Sequence, residues 1–402
     1  MSCNGNCESC TTTARAQIFT DFKDKYQAIS SFRYSETEYA HPTTILLGVT
    51  NQCNLKCDYC FVKQNPQEMS FEVAEQAIQW VKENQKITGN GMAVNFFGGE
   101  PLLKFDDIIK PIVEKYHSEI SFGITTNGVL LDEDIVDFFY QYNVKILLSF
   151  DGVPEVQNKQ RSNSFNAVLN NIPYLLLRFP NTTMRATVTK ESIPYLYDTV
   201  IMAKELGFKK IAFCPNAYES WDKETEAQLL NQFSKIGLFI YKELRNNELP
   251  IEVDPINKFY KNINLALNDQ LFFNNNVKRC GLGTTTCAIC PNGDIVPCQE
   301  KISNPTTILG NITNGINTKV HKEFLINYFN TVNNLVCDKG CDAKSRLNCL
   351  SDICPSRLED LNYQFSSASC ANVRTATKVA AKLHFLCSNS SNQIIKHYFG
   401  EE

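Results

Sequence analysis

The cysteines constrain this chain more than any other feature of its sequence. The 402 residues include 17 cysteines, and most of them fall into three groups, at residues 3–10, 53–60 and 280–370. A secreted disulfide scaffold is usually short, and the N-terminus is polar, without the apolar segment of a signal peptide. We therefore expect a cytoplasmic protein whose reduced, clustered cysteines bind metal.

Composition argues against several classes of function. The net charge is −4 and the basic residues are scattered, so neither nucleic acid nor a membrane surface is an expected partner. No apolar run reaches the ~18–20 residues that a membrane-spanning helix needs. The chain has five histidines, dispersed along the sequence, which argues against His-rich zinc chemistry.

From residue 43 to about 215, short apolar runs alternate with longer stretches of helical periodicity. This pattern predicts a parallel sheet covered by helices, as a partial (β/α) barrel or a doubly wound sheet. The predicted strands are Thr44–Val49, Met92–Phe97, Ile120–Thr125, Val144–Phe150, Thr183–Thr189 and Lys210–Phe213. The predicted helices are Ser70–Glu83, Phe105–Tyr116, Asp132–Tyr142, Phe165–Leu177, Ile193–Leu206 and Lys223–Asn246.

After about residue 250, Asn, Gly and Cys become more frequent and helical periodicity weakens until Ala371–Leu386. We therefore divide the chain into five segments. They are an N-terminal segment with a cysteine group (1–42), the strand–helix domain (43–250), a linker (251–279), a cysteine-rich domain (280–370), and a C-terminal helix and tail (371–402).

Three cysteines follow the first predicted strand with the spacing C-x3-C-x2-C, namely Cys53, Cys57 and Cys60. A [4Fe–4S] cluster is usually held by four thiolates, so three thiolates leave one iron open to another molecule. A structural zinc site needs four ligands. The carboxyl end of a barrel strand is also where catalytic loops lie. The loop therefore predicts a catalytic iron–sulfur cluster.

This spacing, with the aromatic Tyr59 before the last cysteine, resembles the signature of the radical S-adenosylmethionine (SAM) superfamily. The resemblance implies a partial (β/α)6 TIM barrel in which SAM binds the open iron through its amino and carboxylate groups. An electron, from a donor such as flavodoxin or ferredoxin, then cleaves SAM to methionine and a 5′-deoxyadenosyl radical that abstracts a substrate hydrogen. The protein positions the cofactor and excludes water.

The ends of the next strands also follow the family pattern. Gly98-Gly99-Glu100-Pro101 closes the second strand, where glycines permit close backbone approach and Glu100 can pair with an ammonium group. The resemblance makes this the loop that binds the SAM amino group. Asn127 ends the third strand, and Ser149 and Asp151 end the fourth, where the family holds the ribose and carboxylate of SAM.

Two arginines and the tyrosine have alternative interpretations. Arg161 and Arg185 are both candidates for gripping the SAM carboxylate, and a surface ion pair is the alternative for Arg185. Tyr59 packs either near the adenine or in the core. Cys214, at the end of the sixth strand, is expected to be a small buried core thiol rather than a group facing the barrel interior.

The C-terminal cysteines resemble the SPASM extension of radical SAM peptide maturases. Gly293-x4-Cys298 matches its core element, whereas the later spacing C-x3-C-x7-C-x4-C departs from the usual one. The resemblance implies two auxiliary [4Fe–4S] clusters, three in all, although zinc ribbons are a rival. By chain order the inner cluster takes Cys280, Cys287, Cys298 and Cys354, the outer takes Cys337, Cys341, Cys349 and Cys370, and Cys290 remains as a replacement ligand.

A second C-x3-C-x2-C run lies at the N-terminus, at Cys3, Cys7 and Cys10. It predicts either a further metal site or a mobile tail that docks elsewhere, and the sequence does not choose between them.

The resemblance indicates an enzyme that modifies ribosomally made precursor peptides. The leading interpretation is a maturase that joins a cysteine sulfur to a carbon, forming a thioether. The alternatives are an anaerobic sulfatase-maturing enzyme, which makes formylglycine, and a maturase that forms carbon–carbon bonds. In sulfatase-maturing relatives an Asp usually follows the Gly-x4-Cys element, whereas Gln299 and then Glu300 stand here. With 42 residues before the first strand, leader recognition is assigned to segment 11–42, the barrel exterior or a separate protein.

Overall fold

A computed structural model describes residues 40–267, 281, 283–334, 366–387 and 392–400. The described strands form one eleven-stranded sheet in the order β11-β10-β9-β8-β1-β2-β3-β4-β5-β6-β7. The strands are β1 Thr44–Thr50, β2 Ala93–Gly98, β3 Ser121–Thr126, β4 Lys145–Ser149, β5 Thr183–Val188, β6 Lys210–Pro215, β7 Glu252–Asp254, β8 Thr286–Ile289, β9 Asp294–Val296, β10 Gly310–Asn311 and β11 Gly315–Ile316.

Helices follow most of the parallel strands. They are α1 Phe71–Thr88, α2 Lys110–Tyr116, α3 Glu133–Gln141, α4 Pro154–Gln160, α5 Phe165–Leu169, α6 Ile172–Arg178, α7 Leu196–Glu205, α8 Lys223–Arg245, α9 Ile256–Leu267, α10 Thr318–Asn334, α11 Ser367–Cys387 and α12 Gln393–Phe399. Short 3₁₀ turns cover Pro101–Lys104, Ile193–Tyr195 and Gln299–Lys301, and one π-helical turn covers Phe105–Ile109.

The parallel sheet is confirmed, and its first six strands lie within two residues of the predicted ones. Consecutive strands are neighbours, and right-handed crossovers place connecting helices such as α1, α3 and α7 on one face. Side chains such as Ile45 and Phe96 belong to the core on that face, together with Ile78 of α1. The opposite face, which we call the inner face, is free to form a site at the carboxyl ends of the strands.

Local signals in the sequence set the ends of α1. Ser70 precedes the helix, and its side chain accepts a hydrogen bond from the Val73 N–H. Gly89 ends the helix at φ 70°, a left-handed conformation that favours glycine. The face between these caps buries Ala74, Ile78 and Val81 against the sheet.

The structure differs from the predicted division after residue 250. The seventh parallel strand, β7, and helix α9 both lie in the segment predicted as a linker. Strand β7 has three residues, two of them charged, so it lacks the apolar run that marks the other strands. The predicted C-terminal segment also joins the helical layer, since Gly237 of α8 and Val379 of α11 approach so closely that a Cβ at Gly237 would lie 2.5 Å from a Val379 methyl.

The cysteine-rich region extends the same sheet. Strand β8 pairs in parallel with β1, with Leu46 opposite Ala288, and β9 returns antiparallel to β8 through a turn at Gly293. Predictions for eight cysteines lie outside the described residues; these are Cys3, Cys7, Cys10, Cys280, Cys337, Cys341, Cys349 and Cys354.

Among the residues that the structure describes, no helix is both long enough and apolar enough to span a membrane.

Candidate active site

An open cavity lies on the inner face, at the carboxyl ends of β1 to β6. Eleven of the twelve residues predicted from the sequence to hold the first cluster or to contact SAM line this cavity. They are Cys53, Cys57, Tyr59, Cys60, Gly98, Gly99, Glu100, Asn127, Ser149, Arg161 and Arg185. Asp151, the remaining predicted residue of this group, lies behind the cavity wall, with its side chain fully buried. The fold therefore collects side chains from six separate segments into one site.

The three loop cysteines lie at one end of the cavity. The Cys60 N–H donates to the Cys57 carbonyl at 3.1 Å, and the Leu55 N–H donates to the Cys53 sulfur at 3.4 Å. Burial raises the pKa of Cys57 to about 12, and the neighbouring thiols add to that rise. No three metal-binding side chains in the described ranges are placed to hold a single ion.

The two glycines after β2 permit a close backbone contact. The Gly99 N–H donates to the Thr50 carbonyl at 2.8 Å, and the Glu100 N–H donates to the Gln52 carbonyl at 2.9 Å. A Cβ at Gly98 would lie 2.1 Å from the Thr50 oxygen, and one at Gly99 would lie 2.1 Å from the Gln52 oxygen. The glycines thus let this loop pack on the chain that leads into the cysteine loop, a contact that the sequence did not specify.

The carboxylate of Glu100 is buried and already has protein donors. One oxygen accepts from the Leu102 N–H at 3.1 Å and from the Thr126 hydroxyl at 2.8 Å, and the other accepts from the Asn127 N–H at 2.8 Å. Burial raises the pKa of Glu100 to about 7, although these hydrogen bonds oppose the rise. Its role as partner of the SAM ammonium stays a prediction.

Asn127 links the third strand to the cysteine loop. Its side-chain amide donates to the Asn54 side chain at 2.8 Å and approaches the Cys53 sulfur at 3.8 Å. The residue thereby fixes the loop relative to the Glu100 carboxylate, which its backbone N–H also contacts.

Asp151 is the centre of a buried polar network. It accepts hydrogen bonds from the Tyr59 hydroxyl at 2.5 Å, the Gln160 amide at 2.9 Å and the Thr187 N–H at 2.9 Å. The Arg161 Nε lies 3.0 Å from the same Asp151 oxygen that Tyr59 and Gln160 contact. With these neighbours, the carboxylate orients Tyr59 and Arg161 rather than facing the cavity itself.

The opposite wall of the cavity is formed by the ends of β5 and β6. The Arg185 Nε donates to the Cys214 sulfur at 3.4 Å, and Thr187 and Tyr218 line the same wall. The prediction that Cys214 is a buried core thiol is wrong, because it is half-buried and lines the cavity. Strand alternation carried the signal: Ile211 and Phe213 face the helices, so Cys214 must face inward.

The cysteines near β8 lie on two different faces of the sheet. Cys287 is fully buried in the main core beneath the helices, where burial alone raises its thiol pKa far above the usual range. Cys290 packs on the inner face with Phe97, Val296 and Ile302, beside Phe61 of the cysteine loop. Cys298 is buried at the start of the 3₁₀ turn, and Cys370 is half-buried at the start of α11.

The cysteine-rich region contacts the cysteine loop directly. Phe61 stacks on Phe97 with 6.2 Å between ring centroids, and the Lys63 N–H donates to the Ser303 hydroxyl at 2.9 Å. Neither Gln299 nor Glu300 lines the cavity. These contacts place Cys290 near the cavity, separated from it by the Phe61–Phe97 pair.

Comparison with known proteins finds a family match over the part of the chain that carries this site. Residues 47–211 match the model of the radical SAM superfamily. A protein of Methanocaldococcus jannaschii of no assigned function is 32% identical over 183 residues, 42% of this chain and 61% of its own length. A cysteine-type anaerobic sulfatase-maturating enzyme of Clostridium novyi is 27% identical over 42% of this chain and 50% of its own length. The chain thus spans about half to three-fifths of these relatives.

Two solved structures share the fold over most of the chain. The structure of anSMEcpe with bound AdoMet has a TM-score of 0.69 at 20% identity, covering 89% of this chain and 98% of that one. Streptococcus suis SuiB bound to its precursor peptide SuiA has a TM-score of 0.55 at 16% identity, covering 90% and 89%. At these identities the likeness concerns the fold.

The glycine contact gives a direct test of how the site is built. We expect Gly99→Ala to destabilise the protein by more than about 2 kcal/mol, because the added Cβ would overlap the Gln52 carbonyl oxygen. Chemical denaturation of anaerobically prepared protein measures this loss. Gly91→Ala is the matched control, since nothing lies within 4 Å of a Cβ at Gly91. Equal stability of the two variants would contradict the contact.

Proposed function

We propose that this chain, in which residues 47–211 form a radical SAM domain, is a peptide maturase that installs thioether bonds in a ribosomally made peptide. Each bond would join a cysteine sulfur to a backbone or side-chain carbon. The observation that carries the proposal is the shared cavity, which has three thiols at one end and the Arg185–Cys214 wall at the other. The cavity provides room for a cofactor and for part of a substrate.

The cofactor end fits a cluster and SAM. Cys53, Cys57 and Cys60 would hold the cluster, and Glu100, Asn127 and Ser149 surround the space beside it. When bound, this pair of cofactors supplies a carbon radical that removes one hydrogen atom from a substrate. The close packing of Gly98 and Gly99 on residues 50–52 holds the walls of this space at fixed separation.

The substrate end is polar and lies across the cavity from the cysteine loop. This end is lined by Arg185, Thr187, Asn216 and Tyr218. A bound peptide would therefore meet both hydrogen-bond donors and hydrogen-bond acceptors. One structural neighbour supports a peptide substrate, since SuiB was solved bound to its precursor peptide. We propose that a precursor peptide enters from this side, and that flavodoxin or ferredoxin supplies the electron. A separate leader-recognition protein remains part of the proposal.

The carboxylates at the site favour a thioether over formylglycine. Among the described residues that line the cavity, Glu100 is the sole carboxylate, and both of its oxygens already accept hydrogen bonds from the protein. Gln299, at the position where sulfatase-maturing relatives usually place an Asp, does not line the cavity. A substrate cysteine bound to iron needs no such base, because the metal lowers the pKa of the thiol. Formylglycine formation remains the second candidate, since two relatives are named as anaerobic sulfatase-maturating enzymes.

We further propose two auxiliary [4Fe–4S] clusters near the cavity, with one ligand changed. Cys290 lies on the inner face beside the cysteine loop, whereas Cys287 is buried on the opposite face among apolar side chains. Cys290 and Cys298 are therefore the better pair for the inner cluster, and Cys287 is better suited to the core. The other predicted ligands, except Cys370, lie outside the described residues.

Iron content tests the auxiliary clusters. Anaerobically reconstituted protein should contain about twelve iron atoms per chain, from three four-iron clusters. Cys290→Ala should lower the iron content, whereas Cys287→Ala should leave it unchanged, because that thiol faces the helical core. A wild-type content near four, or zinc in place of the additional iron, would remove both auxiliary clusters from the proposal.

The product distinguishes the two candidate reactions. A thioether removes one hydrogen from a thiol and one from a carbon, so the peptide should become about 2 Da lighter per bond and lose one alkylatable cysteine. Formylglycine made from serine also removes two hydrogens, but it yields an aldehyde. Mass spectrometry after alkylation and hydrazide trapping separates the two. A product that traps hydrazide while its other cysteines still alkylate would replace the thioether with formylglycine.

A further inference from the structure

We infer that Arg161 sets the reduction potential of the cluster held by Cys53, Cys57 and Cys60, by presenting a buried positive charge to the Cys57 sulfur. The inference rests on the proposed cluster. It concerns electron transfer to that cluster, and it does not require Arg161 to touch SAM.

The guanidinium of Arg161 contacts three groups at once. Its Nη1 lies 4.0 Å from the Cys57 sulfur, its Nε lies 3.0 Å from an Asp151 carboxylate oxygen, and its central carbon lies 5.4 Å from the centre of the Tyr59 ring. The residue is 7% exposed. Because the guanidinium is planar and rigid, the Asp151 and Tyr59 contacts determine where Nη1 points.

The backbone around Arg161 is bound to the cysteine loop on both sides. The Asp58 N–H donates to the Gln160 carbonyl at 3.1 Å. The Lys56 N–H donates to the Ser162 hydroxyl at 2.9 Å, and that hydroxyl donates to the Lys56 carbonyl at 3.0 Å. Arg161 therefore sits between two residues that both bind the loop, so its distance from Cys57 is fixed by the fold.

The sheet holds Asp151, the ion-pair partner of Arg161, in place. Asp151 is held by the Thr187 N–H of β5 and by the Gln160 side chain, so its carboxylate does not follow Arg161 if the arginine moves. The charge on Arg161 thus has a fixed position relative to both the sheet and the loop.

The direction of the effect follows from electrostatics. A cluster gains negative charge on reduction, and hydrogen bonds and charges near its sulfurs set its potential. A cation at the Cys57 sulfur stabilises the reduced form, and burial weakens solvent screening. Asp151 opposes this effect, but the guanidinium faces the sulfur with its Nη1, 4.0 Å from Cys57, whereas Asp151 contacts the guanidinium at Nε. Removing the guanidinium should therefore make the cluster harder to reduce.

The test compares four variants by redox titration of the fully reconstituted protein, followed by electron paramagnetic resonance. The signal of this cluster is the one absent from the Cys53→Ala/Cys57→Ala/Cys60→Ala variant. Arg161→Gln removes the charge, Arg161→Lys keeps it, and Arg161→Gln/Asp151→Asn removes both charges so that no unpaired carboxylate is buried. Lys159→Gln is the matched control, because Lys159 is an exposed cation of α4, two residues before Arg161, and pairs with Glu191.

We expect the midpoint of Arg161→Gln to become more negative by at least the equivalent of a tenfold change in the reduction equilibrium, about 59 mV for one electron. The double variant should lie between Arg161→Gln and the wild type. Arg161→Lys should lie nearer the wild type, and Lys159→Gln should match it.

Two results would overturn the inference. One is a midpoint for Arg161→Gln equal to that of Lys159→Gln. The other is loss of this cluster from both the single and the double variant, because Arg161 would then only hold the loop in place. A wild-type protein that lacks the signal altogether would instead contradict the proposed function, so the two failures are distinguishable.

Discussion

The site depends on a backbone contact that leaves no room for a side chain. The carbonyl oxygens of Thr50 and Gln52 occupy the positions that β-carbons would take at Gly98 and Gly99. This contact joins the end of β2 to the segment between β1 and the cysteine loop. It also brings Glu100 next to that segment, where its N–H donates to the Gln52 carbonyl. The hydrogen bonds that the Glu100 carboxylate accepts from the Thr126 hydroxyl and the Asn127 N–H then connect the end of β3 to this contact. The turn at Gly98 and Gly99 thus connects the ends of β1, β2 and β3 around the cavity.

Burial of charge is the second organising feature. Glu100, Asp151 and Arg161 are each less than a tenth exposed, and each has polar partners from other segments. A buried charge without partners would strongly destabilise the fold. The networks therefore fix their residues as firmly as apolar packing does, while leaving polar groups beside the cavity. The thiols of the loop are part of the same arrangement, through Asn127 at Cys53 and Arg161 at Cys57.

The sequence predicted most of the parallel sheet because its strands are long apolar runs. It did not predict β7, because that strand is three residues long and carries Glu252 and Asp254. It also treated α11 as separate from the barrel, although Val379 packs against Gly237 of α8. Such packing depends on which helices meet in space, and a periodic pattern along the chain does not specify that.

The sequence also did not predict how some residues of the site are oriented. Motifs predicted which residues meet, and the cavity gathers eleven of them. They did not show that Asp151 lies behind the wall, that Cys214 faces inward, or that Cys287 and Cys290 face opposite sides of the sheet. These are questions of side-chain direction. For Cys214 and Cys287, strand alternation answers them once the register of the strand is known.

The central claim is that the three cysteines after β1 hold the cluster that activates SAM. Formation of 5′-deoxyadenosine from SAM in the presence of dithionite tests it most directly. The account predicts that the wild-type protein forms 5′-deoxyadenosine, and that the variant with Cys53, Cys57 and Cys60 all replaced by Ala forms none. Continued formation of 5′-deoxyadenosine by that variant would contradict the account.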